Sequence, residues 1–145
     1  MQTRGESIDQ IRRFNRRYVP AMRLLDRSYL DTGLATLEAA ALLEIGENEG
    51  VSARDISRKL NMDKGYLSRA VARFESEGWV EKGPSPEDGR LQALSLTDAG
   101  KRRVEELAGS GADIVEDAFE GTTDEEIARV AEAMRTILMI LERQD

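Results

Sequence analysis

The stretch from Val51 to Leu96 leaves this chain few folds to choose from. Ser52 followed by Asp55 is a helix-starting pair, in which a hydroxyl caps free backbone N–H groups, and Val51 with Ile56 brackets it as a hydrophobic staple. Leu60 closes the apolar face of that short helix. Asn61-Met62-Asp63 comes next. Asn tolerates the left-handed conformation that ends a helix, Asp63 caps the helix that follows, and Met62 with Leu67 repeats the staple. Two short helices on so tight a link have the layout of a helix-turn-helix. The second helix runs to about Glu77 and stops at Gly78. Two strand-like stretches, Trp79 to Gly83 and Leu91 to Leu96, then flank a loop holding Pro84, Pro86 and Asp88-Gly89, which are strong turn signals. In the second of them Gln92, Leu94 and Leu96 share one face and Leu91, Ala93 and Ser95 the other. A hairpin with a projecting loop directly after a helix-turn-helix is a winged helix.

Helical patterning surrounds this unit, so the expected fold is mainly α with one hairpin. Ser7 and Gln10 have the form of a capping box, and Ile8, Ile11, Phe14, Tyr18, Met22 and Leu25 recur at helical spacing after it. Pro20 lies inside that stripe and should kink or break the helix. Asp31-Thr32-Gly33 closes the segment, and Thr36 is expected to cap a second helix from Leu37 to about Glu47. After the hairpin, Thr97 caps a fifth helix whose stripe runs through Val104, Leu107, Gly111, Ile114 and Ala118. Gly121-Thr122-Thr123 interrupts the chain. Thr123 with Glu126 is a capping box for a last helix striped with Ile127, Val130, Met134, Ile137, Leu138 and Leu141.

A length of 145 residues suits one domain with its own core. The absence of cysteine excludes disulfides and thiolate metal sites, and the absence of histidine removes the usual catalytic base and metal ligand. No metal or cofactor is expected. Adjacent carboxylates such as Glu105/Glu106 and Glu116/Asp117 point apart on a helix and read as solvated surface. The chain is therefore not expected to be an enzyme. Its first residues lack an apolar stretch, and its longest apolar runs, Ala39 to Leu43 and Ile137 to Leu141, fall far short of the ~20 residues of a membrane span. A cytoplasmic protein is expected.

The net charge of −7 argues at first against a nucleic-acid partner, but the charge is unevenly placed. Glu105 to Asp145 holds three Lys/Arg against twelve Asp/Glu, whereas Val51 to Arg103 holds eleven against eight. Screening over about 8 Å makes the local field decide. On the second helix of the helix-turn-helix, Leu67, Ala70, Val71 and Phe74 fall on the core side. The opposite face carries Gly65, Ser68, Arg69, Ala72, Arg73 and Ser76, flanked by Lys64 and Tyr66. Small residues allow close approach, and guanidinium groups offer paired donors to guanine edges or phosphates. A basic but merely solvated face is the alternative. Arg54 and Arg58 on the preceding helix could meet phosphates or could serve solubility. Arg90 stands at the loop tip, where Arg can enter a narrow minor groove, and Asp88 could orient it or pair with an arginine of the recognition helix. A plain polar loop tip is the alternative there.

The runs Asn61-Met62-Asp63-Lys64-Gly65-Tyr66-Leu67-Ser68-Arg69, Arg73-Phe74-Glu75, Gly78-Trp79-Val80 and Pro86-Glu87-Asp88-Gly89-Arg90, with Leu94-Ser95-Leu96-Thr97-Asp98-Ala99-Gly100, resemble the MarR family of bacterial transcription regulators. The resemblance is dense from about Leu34 to Lys101. It implies a winged helix-turn-helix over residues 34–97 and a helical dimerisation region made of 1–33 and 98–145. It implies an obligate homodimer reading a pseudo-palindrome in double-stranded DNA, with contacts from Lys64, Gly65, Tyr66, Ser68, Arg69 and Arg73 and a wing contact from Arg90. Many family members also bind small, often aromatic, ligands. Tyr18, Met22 and Tyr29 would line such a pocket here, unless they are plain core or interface side chains. The Arg12-Arg13-Phe14-Asn15-Arg16-Arg17-Tyr18 start looks most like relatives fused to an acetyltransferase, but the chain stops after its last helix and no transferase activity is expected. A winged helix that binds proteins and not DNA is the competing reading, supported by the pI of about 4.8.

Overall fold

In the computed structural model, which describes residues 1–24, 29 and 32–143, the elements run α1 (Arg4–Ala21), α2 (Thr36–Glu47), β1 (Val51–Ser52), α3 (Ala53–Lys59), α4 (Lys64–Ser76), β2 (Val80–Pro84), β3 (Gln92–Leu96), α5 (Asp98–Ala118) and α6 (Asp124–Glu142). The expected mainly helical winged helix-turn-helix is what forms. The caps of α3 to α6 fall where the sequence puts them. Ser52 Oγ accepts from the Asp55 N–H, Asp63 Oδ2 from Tyr66, Thr97 Oγ1 from Gly100 and Thr123 Oγ1 from Glu126. Asn61 adopts the left-handed conformation (φ 49°) that turns α3 into α4, and the Ser57 hydroxyl donates to the Met62 carbonyl to fix that turn.

Two expected caps are displaced. α1 begins a turn earlier than Ser7, because Thr3 and Glu6 form the complete reciprocal box: each side chain accepts from the other's backbone N–H. The Ser7 hydroxyl instead donates back to the Thr3 carbonyl. Ahead of α2 the cap residue is Ala35, not Thr36. Glu38 accepts from the Ala35 N–H at 3.0 Å, while the Thr36 hydroxyl is buried inside the first turn with no hydrogen-bond partner. Pro20 does end its helix: α1 stops at Ala21, and Arg23 takes a left-handed conformation (φ 55°). Leu25 and Asp31, expected to extend and close this segment, lie outside the described residues.

One strand goes beyond the sequence reading. β1 is two residues long, too short to leave a period in the sequence, and pairs antiparallel with β3 through Val51↔Leu94 and Ser52↔Ala93. The sheet order is therefore β1-β3-β2, with β3 central. Ala93, Leu94 and Leu96 are all buried, so the simple two-face division of that strand does not hold.

The core is assembled from every element of the winged unit. Leu34, Leu42, Ile45, Ile56, Leu67, Phe74 and Leu94 are fully buried, and Leu107 joins them from the first half of α5. Entry into α5 is close-fitting. A Cβ at Gly100 would collide with the Trp79 carbonyl oxygen and stand 2.9 Å from its carbon, so only glycine lets α5 start against the base of the wing. The opposite is true of α1 and α6, neither of which buries a single described residue. Ile8, Ile11 and Phe14 on α1, and Ile137 to Leu141 on α6, are large apolar side chains open to solvent. Contiguous apolar surface of this kind marks an interaction face.

Candidate nucleic-acid interface

α4 presents the face that its spacing predicts. Leu67, Ala70, Val71 and Phe74 are buried, while Lys64, Gly65, Ser68, Arg69 and Arg73 are exposed. Gly65 stands where a Cβ would come within 3.2 Å of Asp63 Oδ2 and 3.4 Å of an Arg69 guanidinium nitrogen, so the missing side chain lets Arg69 fold over the start of the helix. Tyr66 is half-buried and leans onto the core cluster. Burial first, then the neighbouring Glu38, pushes its hydroxyl pKa up, while Arg69 and Arg73 pull it down. The phenol therefore stays protonated as a hydrogen-bond donor.

α3, α4 and the hairpin enclose a groove of about 530 Å³. Arg54 of α3, Lys64 and Ser68 of α4, and Lys82 and Arg90 of the hairpin line its walls, and Leu67, Val71 and Leu94 line it with apolar surface. Among the described residues, none of the side chains lining it is a carboxylate. Four cations from three elements thus converge on one concave surface, despite an acidic chain. Sequence reasoning did not single out Lys82. Its signal is strand alternation, which puts Lys82 opposite Leu94 in the β2–β3 register, and its Nζ is held 3.0 Å from Glu75 Oε1.

The wing tip is a structured loop. The Ser85 N–H donates to the Leu91 carbonyl, the Leu91 N–H to the Asp88 carbonyl, and the Ser85 hydroxyl accepts from Glu87 and Asp88. Asp88 accepts from the Arg90 N–H at 3.0 Å and lies 3.8 Å from its Nε. The Asp88 carboxylate thus contacts Arg90, the partner that the first of its two expected roles requires. The Arg90 side chain itself is 95% exposed.

Other expected contacts are placed differently. Arg73 is already engaged: its guanidinium donates to both oxygens of Glu38, at 3.0 and 3.1 Å, and to the Gly33 carbonyl at 3.0 Å. Arg58 lines a different cleft, shared with Glu44, Glu47, Leu138, Leu141 and Glu142, and not the cationic groove. Its neighbour Lys59 is bound by the nearly buried Glu44, whose hydrogen bond raises the lysine pKa. Tyr18 and Met22 lie one turn apart at the end of α1, where the Met22 N–H donates to the Tyr18 carbonyl at 2.9 Å. Tyr18 stacks on Phe14 with ring centroids 4.9 Å apart, Met22 is buried, and the Tyr29 hydroxyl sits against Gly111 of α5.

The two capped helices, the wing and the cation-lined groove between them define a winged helix-turn-helix of the kind that docks on a duplex. Comparison with known proteins agrees. The profile of the MarR family matches residues 32–91. An HTH-type transcriptional regulator of Bacillus subtilis, YdgJ, is 31% identical over 74 residues, covering 51% of this chain and 45% of that protein. The HTH-type transcriptional repressor IacR of Pseudomonas putida is 26% identical over 68% of this chain and 59% of its own length. The matched segment thus spans about half the length of these curated relatives. Across nearly the whole chain, the fold is similar to that of Sco3205, a MarR family regulator from Streptomyces coelicolor solved with DNA. Identity is 27%, the TM-score is 0.68, and coverage is 95% of this chain and 88% of that one. The apo form of MarR from E. coli superposes with a TM-score of 0.69 over 95% and 98% of the two chains, at 24% identity. Residues 32–91 are thus similar to the MarR family, and the fold as a whole to that of a MarR family regulator solved with DNA.

Proposed function

We propose that this protein is a homodimeric transcription regulator that reads a pseudo-palindromic operator in double-stranded DNA, with α4 in the major groove and the wing in the minor groove. The observation that carries the reading is the carboxylate-free groove joining Arg54, Lys64, Ser68, Lys82 and Arg90 across three elements. The outer face of α4, with Gly65 and Ser68 beside Arg69, is shaped for close approach to base edges. The exposed wing arginine suits a narrow groove of high negative potential. The similarity of the fold to Sco3205, which was crystallised with DNA, supports a DNA partner.

The scaffold follows from surface that one protomer cannot cover. Residues 1–33 and 98–145 supply the apolar faces of α1 and α6, which pairing with a second copy would bury. The acidic C-terminal third then lies away from the duplex. No helix of the described residues is long and apolar enough to cross a membrane, which suits a protein acting on DNA in the cytoplasm. The relatives are named as transcriptional regulators, and the reading includes no catalytic step. The repressor IacR makes repression the sign to test first. Release by a small aromatic or apolar ligand would act by moving α4. Tyr18, Met22 and Tyr29 are the side chains proposed to line the pocket for such a ligand.

Salt dependence tests the reading against a winged helix that binds only proteins. If each of the four groove cations in both protomers meets one phosphate, log affinity falls with log salt at a slope of up to about −7. Affinity for duplex DNA would then drop by about 10⁴ between roughly 50 and 200 mM salt. A flat response, or no binding at low salt, sinks the proposal.

A further inference from the structure

Arg73 faces outward on the recognition helix, yet its three hydrogen bonds all go to the first turn of α2 and the connection just before it. Two bind Glu38 in the first turn of α2, and the third goes to the carbonyl of Gly33. The neighbouring carbonyl, that of Thr32, accepts from the guanidinium of Arg103 on α5. Arg103 also binds Glu106 and lies over the Trp79 ring, 5.1 Å from its centroid, while Trp79 packs on Phe74 of α4. Two successive carbonyls thus hold one guanidinium from the DNA-facing helix and one from the helix that continues into the scaffold. Gly33 supports this with φ +81°, a conformation that L side chains rarely adopt. The segment is tied to α5 a second time, where the Tyr29 hydroxyl occupies the space that a Cβ on Gly111 would need.

From this arrangement we infer that residues 32–34 form a joint that sets the pitch of α4 against the scaffold, with Arg73 and Arg103 as positioning residues and Glu38 as the counter-charge that keeps Arg73 off the DNA. The inference rests on the DNA-binding reading above. It assigns Arg73 a role opposite to that of a phosphate contact. A planar guanidinium is required, because it must span a carboxylate and a carbonyl at once, which a single ammonium cannot do in the same geometry. Charge alone points the other way. Neutralising Glu38 removes an anion from the DNA-facing side, which by simple electrostatics should strengthen binding.

The test uses the full-length protein and a duplex that it binds, with Glu38→Gln, Arg73→Gln and Arg73→Lys. The amide introduced by Glu38→Gln keeps an acceptor for the Ala35 N–H, so the start of α2 survives while the ion pair is lost. The joint predicts that Glu38→Gln weakens binding by roughly three- to tenfold, the usual size of coupling in a shared network. It also predicts that Arg73→Lys fails to rescue, that the Glu38 and Arg73 effects are less than additive, and that the salt slope of Arg73→Gln equals that of wild type. If Arg73 touched phosphate, Lys would restore most of the affinity, Glu38→Gln would bind as tightly as wild type or tighter, and the slope would fall by about one per protomer. Any of these three results overturns the inference.

Trp79, the sole tryptophan of the chain, gives a readout that needs no DNA. In the free protein the Glu38→Gln emission spectrum should shift, because Arg103 over its ring shares the loosened segment, while the melting curve stays cooperative. An unchanged spectrum overturns the joint whatever the DNA result. Failure of wild type to bind any duplex overturns the DNA-binding reading and leaves the spectral test of the joint standing.

Discussion

Replacing Arg90 with Ala isolates the wing contact from the fold. The side chain is 95% exposed and its one ion pair, with Asp88, is long at 3.8 Å, so its removal should cost almost no stability. The tip keeps its shape because the hydrogen bonds that close it come from backbone groups and from Ser85 and Asp88, including the Arg90 N–H itself. What is lost is one guanidinium per wing, and a dimer has two wings. With a specific arginine contact worth about 1–3 kcal/mol, the low end taken twice is about 2 kcal/mol, roughly thirtyfold in Kd. Fluorescence anisotropy with a labelled duplex measures this, with the thermal midpoint recorded on the same sample. Wild-type affinity in a folded Arg90→Ala dimer would refute the role given to the wing. A lowered midpoint would refute the claim that Arg90 is free of structural work.

Four other outcomes follow from particular residues. Gly100→Ala drives a methyl into the Trp79 carbonyl oxygen, so the start of α5 must move; urea unfolding should show a loss of about 3 kcal/mol or more. Ile11→Asp places a charge in the apolar stripe of α1 and should convert the dimer to monomers in analytical ultracentrifugation, and an unaffected dimer would move the interface elsewhere. DNA affinity at fixed ionic strength should vary less than about twofold between about pH 6 and 8, since the chain has no histidine and no cysteine. Because hydrogen bonding to Glu44 raises the Lys59 pKa in the folded state, the stability it contributes is complete below its unfolded value of about 10.4. That stability fades only as pH rises through the folded value, which urea titrations above about pH 10 would reveal.

Local chemistry made most of this fold readable. Ser52, Asp63, Thr97 and Thr123 each satisfy N–H groups within the first turn of their own helices, so their caps depend on nothing distant. The caps that moved were decided by competition. Thr3 with Glu6 makes both halves of a box, and Thr36 is drawn into the first turn of α2 because Glu38 takes over the capping. β1 escaped because two residues carry no period, and it exists only through pairing with a strand that lies far along the chain. The core face of α4 followed from its 100° spacing, but the fate of each outward arginine did not. Arg69, Arg73 and Arg90 look alike in sequence, and only the fold brings Glu38 and the Gly33 carbonyl to Arg73 while leaving Arg90 in solvent. The cleft that Arg58 lines was likewise not legible, since the end of α6 that shares it is remote from Arg58 in sequence.

Selection of bound duplexes from random DNA, combined with the mass of the protein on the selected site, tests the central claim most directly. If two copies join through α1 and α6 as proposed, they must present their recognition helices with two-fold symmetry. The account predicts an inverted repeat with half-site centres about 10 bp apart, occupied by one dimer. Enrichment of a single unrepeated element, occupancy by a monomer, or no enrichment at all would contradict it.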